Sequence, residues 1–374
     1  MNYKSASKQT LLVTKEPLAG ANLQTIFSLL IQNNFHVSIP YIPRILYSFL
    51  LSSALSFFRR KEENFVKKID NNIIFEKPPL FLLGHWRSGT TYLHNVLSKD
   101  DQFGFFSTFD AYLPGVFLTG EKRLKPLVAS SIPKKRPMDD VAMDADLPQE
   151  DEYALGGTSV YSYYNGWIFP RNMDVYNKFV LLDDVKENVI GDFKNKYMHL
   201  LKKASYKNQG KQLLLKNPSN TARIKILLDL FPDAKFIHIQ RNPYHQYLSM
   251  IRFMKLVIPL YCIQNPPSFD VIEQKMMNLY IEMYKKYFNE RELIPKGNLV
   301  EIRYEDFISD PFSETKKIYE SLSLEGFSYA ERAIKDYILT QSEIKTANYK
   351  INDNIRNKVY SSWAFVFDNL KYDS

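Results

Sequence analysis

Residues 84–91, Gly84-His85-Trp86-Arg87-Ser88-Gly89-Thr90-Thr91, set glycines, hydroxyls and a guanidinium in the order of a phosphate-binding loop. A P-loop reads Gly, four residues, Gly, then Lys and Ser/Thr; here Thr90 stands in the Lys position, so no ammonium follows Gly89 to reach a β- or γ-phosphate. The remainder still makes an anion cradle. Glycines let backbone N–H groups turn inward, and a helix opening near Thr90 points its positive end at the anion. Ser88, Thr90 and Thr91 add hydroxyl donors and Arg87 a fixed charge. The apolar run 235–239 ends in Gln240-Arg241 rather than an acidic magnesium ligand. One phosphate and its attached group, held without a metal, fit this loop better than ATP or GTP hydrolysis. Two further cations, Lys216 and Arg241, also follow apolar runs. Groups able to take a proton are His85 in the loop, His94 one turn beyond it, and the acids Asp144, Asp146, Glu150, Asp151 and Glu152. Acids after Pro148 equally suit a helix N-terminus.

These residues need elements to position them. Residues 80–83 (LFLL), 212–215 (QLLL), 235–239 (KFIHI) and 298–302 (NLVEI) are short apolar runs that read as buried strands. Residues 92–97 and 221–231 show helical spacing, the latter through Ile224, Leu227, Leu228 and Phe231. Strands alternating with helices predict a parallel sheet with right-handed crossovers, and ligands on such sheets sit at the carboxyl ends of the strands. Residues 84–91, Lys216 and Arg241 all lie just past such ends. Residues 111–149, rich in Pro, read as an irregular insertion beside the sheet. Residues 45–58 (ILYSFLLSSALSFF), followed by Arg59, Arg60 and Lys61, are the most apolar stretch. Fourteen residues are too few to span a bilayer, so they read as a core helix, or as one lying on a membrane or over an apolar substrate entrance.

The 374-residue chain carries a formal charge of +8 and 14% aromatic residues. Its basic residues are dispersed, which argues against a nucleic-acid tail; a polyanionic nucleotide or an anionic membrane surface uses the charge equally well. The single cysteine, Cys262, rules out an intramolecular disulfide and a cysteine-rich metal site. With no secretory signal visible in the first residues, the expected location is cytoplasmic, with membrane association through 45–61 as an open alternative.

The stretch PPLFLLGHWRSGTTYLHNVL resembles the 5′-phosphosulfate-binding loop of sulfotransferases, and KFIHIQRNPYHQYLS is similar to their 3′-phosphate-binding element. In the latter the family places an Arg and a Ser eight residues apart, here Arg241 and Ser249. Arg303-Tyr304-Glu305-Asp306 with Asp310-Pro311 is similar to the element before the family's late helices. The wording GHWRSGTT…RPMD…PQEDE looks most like bacterial sulfotransferases distantly related to the tyrosylprotein and carbohydrate enzymes. The resemblance implies a three-layer, P-loop-like α/β fold with a central parallel sheet flanked by helices. One domain over 1–374, a helical extension at 20–70 and an insertion at 111–149 near the acceptor site are expected. It further implies 3′-phosphoadenosine 5′-phosphosulfate as donor, adenosine 3′,5′-bisphosphate as product, and no metal.

Under that resemblance Arg87 sits near the 5′-phosphate and the bridging oxygen, with Ser88, Gly89, Thr90 and Thr91 in the cradle. Lys216 reaches the same oxygen or the sulfonate; a solvated strand-end lysine is the plain alternative. Arg241 and Ser249 hold the 3′-phosphate, while Trp86, Tyr304 and Lys350 are candidate nucleotide contacts. The family's Lys-Thr-His segment appears as Lys216-Asn217-Pro218, so a histidine base is missing there. Glu150 is the favoured base and His85 its rival. The expected acceptor is a hydrophobic alcohol such as a sterol or lipid; a carbohydrate or phenol is the alternative. A P-loop kinase or NTPase, and a non-enzymatic membrane-surface protein, are the competing classes.

Overall fold

The computed structural model describes residues 16–69, 73–136, 141–341 and 349–373. Residues 137–140, which include Pro137, Met138 and Asp139 of the RPMD segment, lie outside them. The chain divides into two compact units. One comprises Phe75–Phe105, Gly210–Ile251 and Met277–Ser374; the other gathers Phe106–Gln209, Arg252–Met276 and the chain up to Ile74.

The first unit is an α/β sheet. β1 (Leu80–Leu83), β2 (Phe103–Gly104), β3 (Gln212–Lys216), β4 (Lys235–Gln240) and β5 (Leu299–Arg303) form one five-stranded sheet in the order β2-β3-β1-β4-β5. All pairings are parallel, with Leu80 opposite both Leu214 and Lys235. Every residue of β1 and β3 is buried, as continuous apolar runs require when both sheet faces are covered. On one face Leu80, Leu82, Leu214, Ile237, Ile239 and Ile302 pack with Leu93, Val96 and Leu97 of the Thr90–Leu97 helix and with Ile318 and Ile334. On the other, Phe81 stacks on Phe236, and His238 stacks on Tyr287 of the Phe269–Glu290 helix. The strand order reverses at β1, whose neighbours are β3 and β4, and open α/β sheets bind ligands beside such a reversal.

Three details depart from the sequence reading. β5 begins at Leu299 rather than Asn298 and is an edge strand with one buried residue, so its hydrophobic pattern marks its start weakly. β2 has two residues and no periodicity to betray it. The helix expected over 221–231 is a 3₁₀ turn, Pro218–Ala222, followed by a short α-helix, Ile224–Leu230. Asn217 stops the strand by accepting the Ser219 N–H at 3.0 Å.

The second unit is helical. Its longest helix, Ile42–Ile69, contains the apolar run 45–58 and continues well past it, because Arg60, Lys61, Glu63, Lys67 and Lys68 fall on its exposed side while Arg59 and Glu62 find partners inside the unit. Arg44 anchors it by donating to the carbonyls of Leu260 and Cys262, each at 2.9 Å. Farther along, buried Glu62 pairs with Lys203 at 2.6 Å. Residues 111–149 hold more regular structure than their prolines suggest. They contain the helix Glu121–Ser131, with Pro126 inside it, an antiparallel bridge Lys135↔Ala142, and near their end the bridge Ser107↔Pro148 back to the residues before them. Pro126 forgoes one intrahelical bond, which an exposed helix tolerates because water reaches its backbone.

Candidate functional site

β1 delivers the loop 84–91 to the carboxyl edge of the sheet, and the loop's turns depend on left-handed backbone. Gly84 has φ of 142°, Arg87 71° and Gly89 102°. A Cβ on Gly84 would lie 2.6 Å from the Ile239 carbonyl oxygen, and one on Gly89 would lie 2.3 Å from the Tyr304 ring. No side chain fits at either position. The Gly84 N–H donates to Thr221 Oγ1 at 2.8 Å, tying the loop to the turn after β3. Thr90 then opens the helix Thr90–Leu97, whose first-turn N–H groups face the loop.

The cations expected from the sequence converge on this loop. Arg87 Nε donates to Ser249 Oγ at 3.1 Å. Arg241, just past β4, donates from a terminal nitrogen to the Arg87 carbonyl at 2.9 Å, and its guanidinium lies 4.4 Å from the centre of the Tyr304 ring. Lys216, the last residue of β3, is buried rather than solvated and reaches Thr91 Oγ1 at 3.4 Å. Arg87, Lys216, Arg241, Ser249, Tyr304 and the loop residues Ser88, Gly89, Thr90 and Thr91 are thus gathered at one sheet edge. Arg241 Nε and Ser88 Oγ are buried there without a hydrogen-bond partner among the described residues. Buried donors left in this state fit an anionic ligand. Burial raises the Tyr304 phenol above its usual pKa, with Arg241 and Arg87 pulling the other way. Lys350 lies at the surface next to Tyr349, whose ring is 6.4 Å from that of His245.

Beneath the loop lies a support that sequence reasoning missed. Trp86 is buried, and its carbonyl accepts from Gln246 Nε2 at 3.2 Å. Tyr280 donates to Gln246 Oε1 at 3.3 Å and stacks on Trp363 with ring centres 3.7 Å apart. Gln246 precedes Ser249 by three residues and so shares its helix face, a signal the sequence did contain. Tyr280 and Trp363 are distant in sequence and carried none. His85 belongs to the same support. Its Nδ1 is 3.1 Å from the Trp86 carbonyl, which can only accept, so Nδ1 carries the proton. The ring packs edge-on against Tyr280.

In the helical unit the acids separate by role. Asp151 accepts from Tyr197 Oη at 2.8 Å, and Glu152 from the Tyr163 N–H at 2.9 Å, which makes both structural members of the first turn of Asp151–Thr158. Asp146 pairs with Lys125, and Asp144 accepts the Asp146 N–H at 2.9 Å. Glu150, the N-cap, is set apart: its carboxylate accepts from Tyr164 Oη, and its charge acts on the phenols of Tyr112, Tyr153 and Tyr261. Tyr164 stacks on Trp167 with centres 4.1 Å apart. This aromatic lining has no sequence signal beyond the local run YSYYNGW.

Burial pushes the His85 pKa down to about 3, against the small upward pull of its bond to the Trp86 carbonyl. The folded value lies below the unfolded one of about 6.5, so the native state binds fewer protons. This contribution is complete above pH 6.5 and is lost as pH falls toward the folded value. Acidification from pH 7 to pH 5 should cost about 2 kcal/mol through this residue alone. Urea unfolding across that range should show a shallower acid decline for His85→Gln than for the natural chain; identical declines would refute the assignment.

Comparisons with known proteins identify the family. A family model described as "Sulfotransferase family" matches residues 78–329. Two proteins named omega-hydroxy-beta-dihydromenaquinone-9 sulfotransferase Stf3, from Mycobacterium bovis and Mycobacterium tuberculosis, are each 31% identical over 357 residues, covering 95% of this chain and 90% of theirs. In fold, the sulfotransferase STF9 of Mycobacterium avium aligns with a TM-score of 0.67 at 16% identity, over 94% of this chain and 97% of that one. STF1 of Mycobacterium tuberculosis aligns with a TM-score of 0.65 at 18% identity, over 92% and 91%. The chain is therefore an enzyme and belongs to the sulfotransferase family.

Proposed function

We propose that the enzyme transfers a sulfonate group from 3′-phosphoadenosine 5′-phosphosulfate to the hydroxyl of a lipid alcohol. The observation that carries the donor half is the joining of Arg87, Arg241 and Ser249 at the end of β1 and β4, with buried donors facing the same edge. Ser88, Gly89, Thr90 and Thr91 would hold the 5′-phosphate, and Arg241 and Ser249 the 3′-phosphate. Tyr304 packs beneath Arg241, and Lys350 is assigned to the nucleotide's outer side. The bound donor supplies the sulfonate. As the acceptor oxygen forms its bond to sulfur, the sulfur–oxygen bond to the 5′-phosphate breaks and charge grows on the departing oxygen. Arg87 and Lys216 are the cations assigned to that charge, a pre-set electrostatic role that suits transfer with little covalent work for the protein.

Glu150 is the base assigned to the acceptor hydroxyl. His85 is disfavoured, because its ring is held by the Trp86 carbonyl and its low pKa makes it a weak base. The acceptor half is supported by the named activity of the Stf3 relatives, which concerns a menaquinone carrying a hydroxyl, and by the aromatic rings around Glu150. The free, buried Cys262 accords with a reducing, cytoplasmic setting.

Adenosine 3′,5′-bisphosphate should bind in isothermal titration without magnesium and in preference to ADP. Arg241→Ala should weaken it roughly tenfold or more, the loss expected for a charge-assisted hydrogen bond. A preference for ATP with magnesium would reject the donor assignment. Glu150→Gln should lower kcat by about a hundredfold or more while leaving bisphosphate affinity unchanged; a smaller loss than for His85→Gln would move the base to the histidine. With labelled donor, hydroxylated isoprenoid quinones and sterols in detergent should turn over faster than sugars or simple phenols. No turnover of any hydrophobic alcohol would reject the lipid acceptor.

A further inference from the structure

A helix on the surface of a soluble unit normally turns an apolar stripe inward and a polar one outward. Two helices of the helical unit break that rule. In Leu23–Gln32 the inner stripe is Ile26, Leu29 and Leu30, yet Phe27 and Ile31 on the outer side are also apolar, 49% and 61% exposed. In Ile42–Ile69 the inner stripe is Arg44, Ile45, Ser48, Ser52 and Leu55. Its outer stripe runs through Ile42, Leu46, Leu50 and Phe57, the last two 72% and 71% exposed. The connecting turn adds Phe35 and Ile39. A ring contact between Phe27 and Phe49, centres 5.1 Å apart, makes the two outer faces continuous.

Charge divides this surface sharply. Between Leu23 and Phe58 the only Lys, Arg, Asp or Glu is Arg44, which is buried and bound to main-chain carbonyls. The outer stripe of Ile42–Ile69 then turns basic: Arg60, Lys61, Lys67 and Lys68 are exposed, with Glu63 alone opposing them beside Lys67. Arg59, which the sequence groups with the basic trio, points inward instead. Its guanidinium donates to the carbonyls of Gly20, Ala21 and Ser52 at 2.7 to 3.1 Å.

We propose that this two-helix face docks the protein flat on an anionic lipid bilayer, with Phe27, Ile31, Phe35, Leu46, Leu50 and Phe57 among the acyl chains and the basic end at the lipid phosphates. The Ile39–Ile69 helical segment is long and apolar enough to cross a membrane by composition. Its inner stripe forbids that orientation, because Arg44, Ser52, Arg59 and Glu62 are bonded to the rest of the unit. Such a helix lies in the interface rather than across it. From Ile42 to Phe57 the apolar part extends about 22 Å along the helix axis. A second copy of the chain fits this surface poorly: a two-fold contact sets the basic end against itself or against the apolar half. A bilayer presents hydrocarbon and negative phosphate at adjacent depths, which is the pairing this surface asks for. The proposal does not depend on which hydroxyl is sulfated.

The test is sedimentation of the full chain with vesicles of phosphatidylcholine alone and of phosphatidylcholine mixed with phosphatidylserine. The natural chain should bind the mixed vesicles more tightly, and less so as salt rises. Leu46→Glu with Leu50→Glu should reduce binding roughly tenfold or more. Arg60→Gln with Lys61→Gln should reduce binding to the mixed vesicles by about fivefold per charge and leave neutral vesicles unaffected. Unchanged bisphosphate affinity and thermal unfolding will show that these surface variants fold. Absence of binding to mixed vesicles, or binding indifferent to the leucine variant, overturns the proposal. A dimer in sedimentation velocity that the leucine variant dissolves also overturns it and assigns the face to a second copy. Failure of lipid alcohols as detergent-solubilised acceptors would strike the acceptor reading alone.

Discussion

Backbone N–H groups can grip an anion only where the chain turns them inward, and at the end of β1 that turn requires left-handed backbone at Gly84, Arg87 and Gly89. Neighbouring elements are fitted to this constraint. The Ile239 carbonyl and the Tyr304 ring occupy the space that side chains at 84 and 89 would need. Arg87 has a Cβ and so adopts its φ of 71° at a cost of about 1–3 kcal/mol unless something holds it. Two bonds do: its own Nε to Ser249, and Arg241 to its carbonyl. The residues that would bind the nucleotide are thus the same ones that keep the loop in shape. A change at Arg241 acts on ligand charge and on loop geometry together.

The sequence showed these parts unequally, for physical reasons. β1, β3 and β4 are buried on both faces and so appear as unbroken apolar runs, and the residues just beyond them are fixed by chain continuity. The residues gathered at this edge of the sheet were legible for that reason. Lys216 was ambiguous, because its burial depends on Thr91 and the helix beneath it rather than on anything near it in sequence. The surroundings of Glu150 come from Tyr112, Tyr164 and Tyr261, which only the tertiary fold assembles. The apolar run 45–58 was visible, but the inward turn of Arg59 was not, since the carbonyls that capture it belong to residues 20, 21 and 52.

Their hydrogen-bond partners separate the two candidate bases. His85 is enclosed by Trp86 and Tyr280, and this burial favours the neutral ring against the pull of its bond to the Trp86 carbonyl. A neutral, oriented imidazole under a strained loop serves as a spacer with one fixed hydrogen bond. Glu150 is the N-cap of Asp151–Thr158, and the hydroxyl of Tyr164 fixes its orientation.

The support beneath Trp86 has a consequence for how the enzyme is made. The carbonyl of Trp86 is held by Gln246, Gln246 by Tyr280, and Tyr280 by the stacked ring of Trp363 in the last helix, Asp353–Leu370. During synthesis the loop leaves the ribosome long before that ring does. A nascent chain can assemble the sheet from β1 to β5 and still lack the Trp363 layer behind this loop. The backing of the loop is therefore complete only once Trp363 has been made and packed on Tyr280, well after β5.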